Sequence, residues 1–187
     1  MPIIDAMAIR KIALMGQPVL KEPALPIEDP GAPKIRRLVA DMLETMYDAD
    51  GVGLAAPQVY EPVRLVMFMV PADRVKEGEA GAVPLTVLAN SVVEPLDDET
   101  IEGAEACLSL PGLVGIVPRY RHIRYSGMTP EGESITREAS DYHARVVQHE
   151  FDHLDGILYP MRMIDLSRLS FASELGPGPR VMVETDE

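Results

Sequence analysis

Residues 149–153 spell His-Glu-Phe-Asp-His, the pattern H-E-x-x-H. On a helix, two histidines four positions apart differ by only about 40° around the axis, so both imidazoles face one way and can share a single metal ion. Glu150 stands beside them, within reach of a water held by that ion. The chemistry this combination supports is metal-assisted hydrolysis. Two surface histidines with a charged neighbour can also produce the pattern by chance, and two imidazoles alone do not complete a catalytic site.

A third donor must come from elsewhere in the chain. In metzincins a glycine and then a third histidine follow the motif; Gly156 fits, but Tyr159 occupies the histidine's place and no histidine follows His153. Glu174 is a downstream carboxylate next to a Gly- and Pro-rich end, a poor place from which to hold a ligand rigidly. His143 shares the helix but lies off the line joining His149 and His153, and His122 falls within a predicted strand. The remaining soft donor is Cys107, the one cysteine. A lone cysteine is ordinarily a small buried hydrophobe, but a two-histidine helix lacking a partner makes this one a ligand candidate. Cys107, His149 and His153 would leave the fourth tetrahedral position open for water.

A second run, Gly51-Val52-Gly53-Leu54-Ala55-Ala56-Pro57-Gln58, combines small residues with an amide side chain. Small residues let another backbone approach closely, and Gln58 can donate a hydrogen bond to a developing oxyanion. A helix end followed by a tightly packed turn accounts for the same run without any chemistry.

These residues need elements to hold them. Apolar positions Ile35, Leu38, Val39, Met42, Leu43 and Met46 recur at helical spacing and predict an amphipathic helix over 34–48, ended by Gly51 or Gly53. Ser140 can cap a second helix over about 141–155 that carries the H-E-x-x-H motif, with Gly156 at its end. Strands are predicted over 63–70, 85–94 and 121–126, with a hairpin turn at Thr129-Pro130-Glu131-Gly132-Glu133 leading to a strand through 135–137. A polar loop is expected over 73–81. The proline-containing residues 1–32 describe an extended arm wrapped on the domain, and 165–175 a last short helix. Residues 1–175 form one catalytic domain in this scheme, and 176–187 an acidic tail with no need to fold.

Composition closes off several classes. Thirty acidic residues against 17 basic give a formal charge of −13, which argues against a DNA-binding or membrane-surface role. One cysteine excludes intramolecular disulfides and favours a reducing compartment. No apolar run reaches the roughly 18 residues of a membrane span, and neither a secretory nor a transit peptide is readable, so the cytoplasm is the expected location.

Taken together, three segments resemble the peptide deformylases. The family pattern G-x-G-L-A-A-P-Q is met in full by Gly51 to Gln58, and H-E-x-x-H by His149 to His153. The middle pattern E-G-C-L-S is met at Glu105, Cys107, Leu108 and Ser109 but departs at Ala106, where the family usually has glycine. The resemblance spans about residues 9–169. It implies an α+β fold with antiparallel β-sheets around a central helix bearing the H-E-x-x-H motif, and removal of the formyl group from the N-terminal formyl-methionine of new polypeptides, with release of formate. It also implies a bacterial protein with N-formylmethionyl nascent peptides as substrates and a transient approach to the ribosome. By the same resemblance, Cys107, His149 and His153 bind one divalent metal and Glu150 is general base and then acid. Gln58 and the backbone N–H of Leu108 hold the oxyanion, and backbone around Val52, Gly53 and Ala106 pairs with the extended substrate. Cys and His ligation by itself suits zinc, whereas the resemblance implies iron(II), with zinc or nickel able to replace it. Two alternatives differ in function: another metal-dependent amidase or peptidase, and a catalytically impaired relative that only binds peptides.

Overall fold

The computed structural model describes residues 8–75 and 81–176; the expectations for residues 1–7, for 76–80 of the polar loop and for 177–187 of the tail lie outside the described residues. Two antiparallel sheets enclose a helix. Strands β1 (Gly53–Ala55), β2 (Leu65–Val70), β3 (Val83–Pro95), β6 (His122–Met128) and β7 (Ser134–Ser140) form one sheet in the order β1-β2-β3-β6-β7. Strands β4 (Thr100–Cys107), β5 (Leu110–Tyr120) and β8 (Ser170–Phe171) form the other in the order β4-β5-β8. Helix α2 (Asp141–Leu154) lies between them, and helix α1 (Pro33–Asp48) covers the far face of the larger sheet.

Strand β2 shows why the larger sheet reads as an apolar run. Successive side chains of a strand point to opposite faces. Val66 and Phe68 enter the core shared with Val146, Val147 and Phe151 of α2, while Leu65 and Met67 enter the core shared with Leu38, Met42 and Met46 of α1. With both faces covered, no polar residue is required between them.

Helix α1 begins and ends close to its predicted bounds, but neither glycine ends it. Asp50, with φ of 49°, occupies the left-handed position after the helix, and the N–H groups of Asp50 and Gly51 donate to the carbonyls of Tyr47 and Met46. Aspartate tolerates this conformation better than most side chains do. Helix α2 ends the same way at Gly156 (φ 71°), with the N–H of Ile157 donating to the Asp152 carbonyl. Its start departs from expectation: Ser140 occupies the N-cap position, but its side chain makes no capping hydrogen bond.

The predicted hairpin is present as β6 and β7, paired from His122↔Ser140 to Met128↔Ser134. His122 is the first residue of β6. The helix expected over 165–175 is absent; two 3₁₀ turns, Leu166–Arg168 and Ala172–Glu174, flank β8, and pairing with β5 takes precedence over local helical spacing. Periodicity also missed β4 and β5, where glycines, prolines and buried charges interrupt the alternation. Over residues 8–32 the arm lies on the domain as expected, with one 3₁₀ turn at Pro18–Leu20. Its backbone donates from Ala13 to the Gln58 carbonyl, from Met15 to that of Ser109 and from Ala24 to that of Leu154. It thereby binds the segment bearing Gln58, the turn after Cys107 and the end of α2.

Candidate active site

Strand β4 and helix α2 run side by side with matched repeats. Two residues of strand advance about 6.6 Å and four residues of helix 6.0 Å, so alternate strand positions meet every fourth helix position over a short length. Gly103 faces Arg145, Glu105 faces Arg145 and His149, and Cys107 faces His153. Cys107 Sγ lies 3.3 Å from His153 Nε2. The ligand atoms of Cys107, His149 and His153 all lie within 4.8 Å of one another, and all three residues are buried. Two donors of one tetrahedral ion with sulfur and nitrogen ligands stand about 3.6 Å apart, so this spacing fits a shared metal.

The hairpin between β4 and β5 places the thiol at its tip. Ala106 pairs with Val114 but Cys107 with Leu110, so residues 111–113 of β5 bulge away from β4 and Leu108 and Ser109 make the turn. Bulges of this kind re-aim a side chain next to a site. Ala106 lies in the extended run of β4 and is not among the residues of positive φ, so its methyl group introduces no left-handed strain.

Behind the histidines is a charged layer that sequence reasoning did not assign. The Glu105 carboxylate, fully buried, accepts from His149 Nδ1 at 2.9 Å, from Arg119 Nε and Nη2 at 2.9 Å each, and from Arg145 Nη1 at 2.8 Å. Arg119 also donates to Asp152, the fourth residue of the H-E-x-x-H segment, at 2.6 Å, and Arg162 closes on the same carboxylate. Burial alone would push the Glu105 carboxyl up; the hydrogen bonds and charges of Arg119 and His149 outweigh it and hold it well below the usual carboxylate range. With Nδ1 of His149 engaged by a carboxylate, Nε2 is the nitrogen left to ligate. The available signal for this layer was a charge inside an apolar run, as at Arg145 in Ala144-Arg145-Val146-Val147; it marks a partner without naming it.

Across the cleft, β1 comes so close to α2 that only glycine fits: a Cβ on Gly53 would stand 2.2 Å from Glu150 Oε1. Glu150 Oε2 is buried without a hydrogen-bond partner, and burial pushes the carboxyl up to about 7. Gln58 is fixed at both ends of its amide. Its Oε1 accepts from the Ala55 N–H at 2.9 Å, and its Nε2 donates to Ser109 Oγ at 3.2 Å and lies 3.6 Å from Cys107 Sγ. Gly51, Val52, Gly53, Gln58, Ala106, Cys107, Leu108, His149 and Glu150 thus line one small cleft. A roomier groove of about 450 Å³ between α1 and the β6–β7 turn contains none of them.

The other sequence candidates stand apart. His143 is buried against Tyr125 and Phe68, its Nε2 3.3 Å from the Tyr125 hydroxyl, and burial together with the Arg137 charge pulls it down to about 4. His122 pairs with Asp97 at 2.7 Å on the surface, and Glu174 is exposed in a 3₁₀ turn.

A thiol and two imidazoles converging beside an unpartnered carboxylate, on a helix held between antiparallel sheets, place the chain among metal-dependent hydrolases. A family model described as polypeptide deformylase matches residues 9–169. The chain is 52% identical over 169 residues to peptide deformylase 1 of Bordetella pertussis, covering 90% of this chain and 96% of that one. It is 50% identical over 167 residues to peptide deformylase 1 of Xanthomonas campestris pv. campestris, covering 89% and 97%. A crystal structure of a class I type b peptide deformylase from Acinetobacter baumannii bound to Met-Ala-Ser superposes with a TM-score of 0.77 at 32% identity, covering 84% of this chain and 100% of that one. The chain belongs to the polypeptide deformylase family, metal-dependent hydrolases that remove the N-formyl group from nascent polypeptides.

Proposed function

We propose that Cys107, His149 and His153 hold the metal of this deformylase and that Glu150 performs its proton transfers. The observation that carries this assignment is the convergence of the three donor atoms beside the unpartnered Glu150 Oε2. A divalent ion bound there supplies Lewis acidity, which makes a water nucleophilic at neutral pH and polarises the formyl carbonyl. Glu150 takes the proton from that water as it attacks the formyl carbon. It then delivers the proton to the amine, a poor leaving group unless protonated, and formate departs. The Gln58 amide and the Leu108 N–H donate to the oxygen on which negative charge develops. Gln58 suits this role because its neighbours already fix the amide, so little reorganisation accompanies the reaction.

The substrate peptide runs extended along backbone at Val52, Gly53 and Ala106. Supporting this, β1 and β4 are each the edge strand of their sheet and both border the cleft, so each offers an outer edge to an added strand. The peptide-bound Acinetobacter baumannii relative supports a peptide site in the same fold.

We assign iron(II) as the native ion, with zinc or nickel able to replace it; resemblance to the family supports iron, and the Cys and His donors accommodate all three. The assigned location is the bacterial cytoplasm, in keeping with the bacterial relatives and with the absence of any helix, among the described residues, long and apolar enough to cross a membrane. Residues 1–175 act as one catalytic domain. Any approach to the ribosome is transient and does not use residues 176–187, where one Arg faces two Glu and one Asp and little can neutralise phosphate.

Formate release from formyl-methionyl peptides, measured alongside metal content on anaerobically purified protein, tests these assignments. Cys107→Ser, His149→Ala and His153→Ala are expected to lose metal and turnover together. Glu150→Gln should keep its metal and lose about 10²- to 10⁴-fold in kcat. An active Glu150→Gln protein, or a Cys107→Ser protein with full metal, would overturn them.

A further inference from the structure

The contacts between β4 and α2 extend one step beyond the candidate ligands, to a pair that takes no part in the chemistry described above. Arg145 lies one helical turn before His149 and is buried. Its guanidinium donates to the carbonyls of Ile101 in β4 and Val117 in β5 and to Glu105 Oε1, each at 2.8 Å. One side chain of the histidine-bearing helix therefore bonds to both strands of the hairpin that carries Cys107. Opposite it, Gly103 leaves the space the guanidinium fills: a Cβ there would stand 2.7 Å from the Arg145 Cζ and 2.8 Å from its Nη2.

We propose that Arg145 is a positioning residue, and that with Gly103 it fixes the register of β4 on α2 and so sets Cys107 against His153 and Glu105 against His149. This rests on the assignment of Cys107, His149 and His153 as metal ligands. Those residues sit on two separately folded elements, so a slide of β4 along α2 would open the thiol from the imidazoles even with both elements intact. Apolar contacts resist such a slide weakly, because they are non-directional. A guanidinium bonded to two carbonyls and a carboxylate resists it strongly, because its donors are fixed in one plane. Arg119 holds Glu105 by two hydrogen bonds of its own, so removing Arg145 does not leave that carboxylate unpaired. The position of the hairpin is what changes.

The test compares Arg145→Met, which keeps the apolar stem and loses the fork, with wild type in three measurements. These are the rate of metal release to a chelator, the thiolate-to-metal charge-transfer band of the cobalt(II)-substituted protein, and kcat and KM separately. Release about tenfold faster, a shifted band and a kcat about tenfold lower with KM within about threefold are expected, because groups supporting metal ligands typically matter at that scale. Gly103→Ala, which displaces the guanidinium from outside, should reproduce the effect in wild type and add nothing in an Arg145→Ala background. It also keeps the test alive if Arg145→Met fails to fold. Wild-type metal release and an unchanged cobalt band in Arg145→Met would overturn the proposal, even with a lowered melting temperature, since they would leave Arg145 a purely stabilising role. Retention of metal by Cys107→Ser would instead overturn the ligand assignment beneath it.

Discussion

Helix α2 faces two sheets and meets them by different physics. Toward the five-stranded sheet it presents Val146, Val147, Phe151 and Leu154, packed on Val66, Phe68, Ile123 and Tyr125 without a single ion pair between these residues. The rings of Phe68 and Tyr125 stand edge-on to Phe151, with centroids 6.4 Å and 6.2 Å away. Toward the three-stranded sheet it presents Arg145, His149, Asp152 and His153, tied to Glu105, Arg119 and Cys107. Apolar contact tolerates small shifts and sums over area, which suits a face whose task is to hold the helix in the fold. Buried charge tolerates almost none, since every group must find its partner at hydrogen-bond distance. The face that positions the candidate ligands is the one built from charged, directional bonds.

The most severe break of this contrast is Glu105→Ala. Two buried guanidiniums lose their shared carboxylate and His149 loses the acceptor for Nδ1, so a stability loss of about 3–5 kcal/mol and loss of bound metal are expected. Urea denaturation with metal analysis checks both; a stable variant with full metal would show that the charged layer does not hold the site.

Next in size is Gly53→Ala, which intrudes where β1 meets Glu150. Either β1 withdraws or Glu150 turns away, at about 1–3 kcal/mol, and kcat should fall about 10²-fold with metal retained. Metal content measured beside kinetics separates displacement of Glu150 from damage to the candidate ligands.

On the apolar side, Phe151→Leu should reduce stability by about 1.5 kcal/mol or less while kcat stays within about twofold of wild type. A large kcat loss without metal loss would show that the two faces of α2 are not independent.

His143 extends the comparison to pH. The core holds its imidazole neutral, with the folded value at about 4 against an ordinary 6.5. Above pH 6.5 folded and unfolded chains both carry it neutral, and its contribution is fully present. As pH falls from 6.5 to 4 the unfolded chain takes a proton that the folded one refuses, and that contribution is lost. A His143→Gln protein should therefore have a shallower decline of urea midpoint over this interval than wild type. Parallel declines would show that His143 is not held neutral.

The smallest expected effect is that of Ala106→Gly. Because β4 is extended there and Ala106 has no positive φ, placing glycine at this position relieves no strain. It should alter KM by a small factor and kcat little, with at most about 0.5–1 kcal/mol of stability lost to added chain freedom. A large rise in kcat would show that the methyl disturbs the proposed oxyanion donor at Leu108.

Most of the strand missed in the sequence lies on the charged side of this divide, in β4, β5 and β8; β1, three residues of the larger sheet, was missed as well. Helix α1 was legible from its apolar repeat, α2 from its terminal signals and the H-E-x-x-H motif, and strand β2 from an apolar run buried on both faces; all of these are written in neighbouring residues. Strands β4 and β5 were not. Gly103 makes way for Arg145, Gly115 lies where a Cβ would stand 2.6 Å from Met163 Sδ and 2.8 Å from Tyr159 Cε2, and Glu105 and Arg119 bury a charged pair. Each concession to a distant partner removes an apolar residue from the alternation on which strand prediction depends. The end of α1 was misread for a related reason: glycines were present, but Asp50 took the left-handed position, and the small size of Gly53 serves Glu150.

The sequence by itself determined a helix with two imidazoles and a carboxylate on one side, and by elimination of other donors it singled out one thiol. Helical geometry relates His149 to His153 whatever the rest of the chain does. The tertiary structure alone decided that Cys107 meets His153, that Glu105 holds His149 and that Arg119 holds Asp152, across 46, 44 and 33 positions of sequence. Local periodicity carries no record of such pairs. They form where two elements with their own repeats come into register, and that register is set by packing and buried hydrogen bonds over the whole fold.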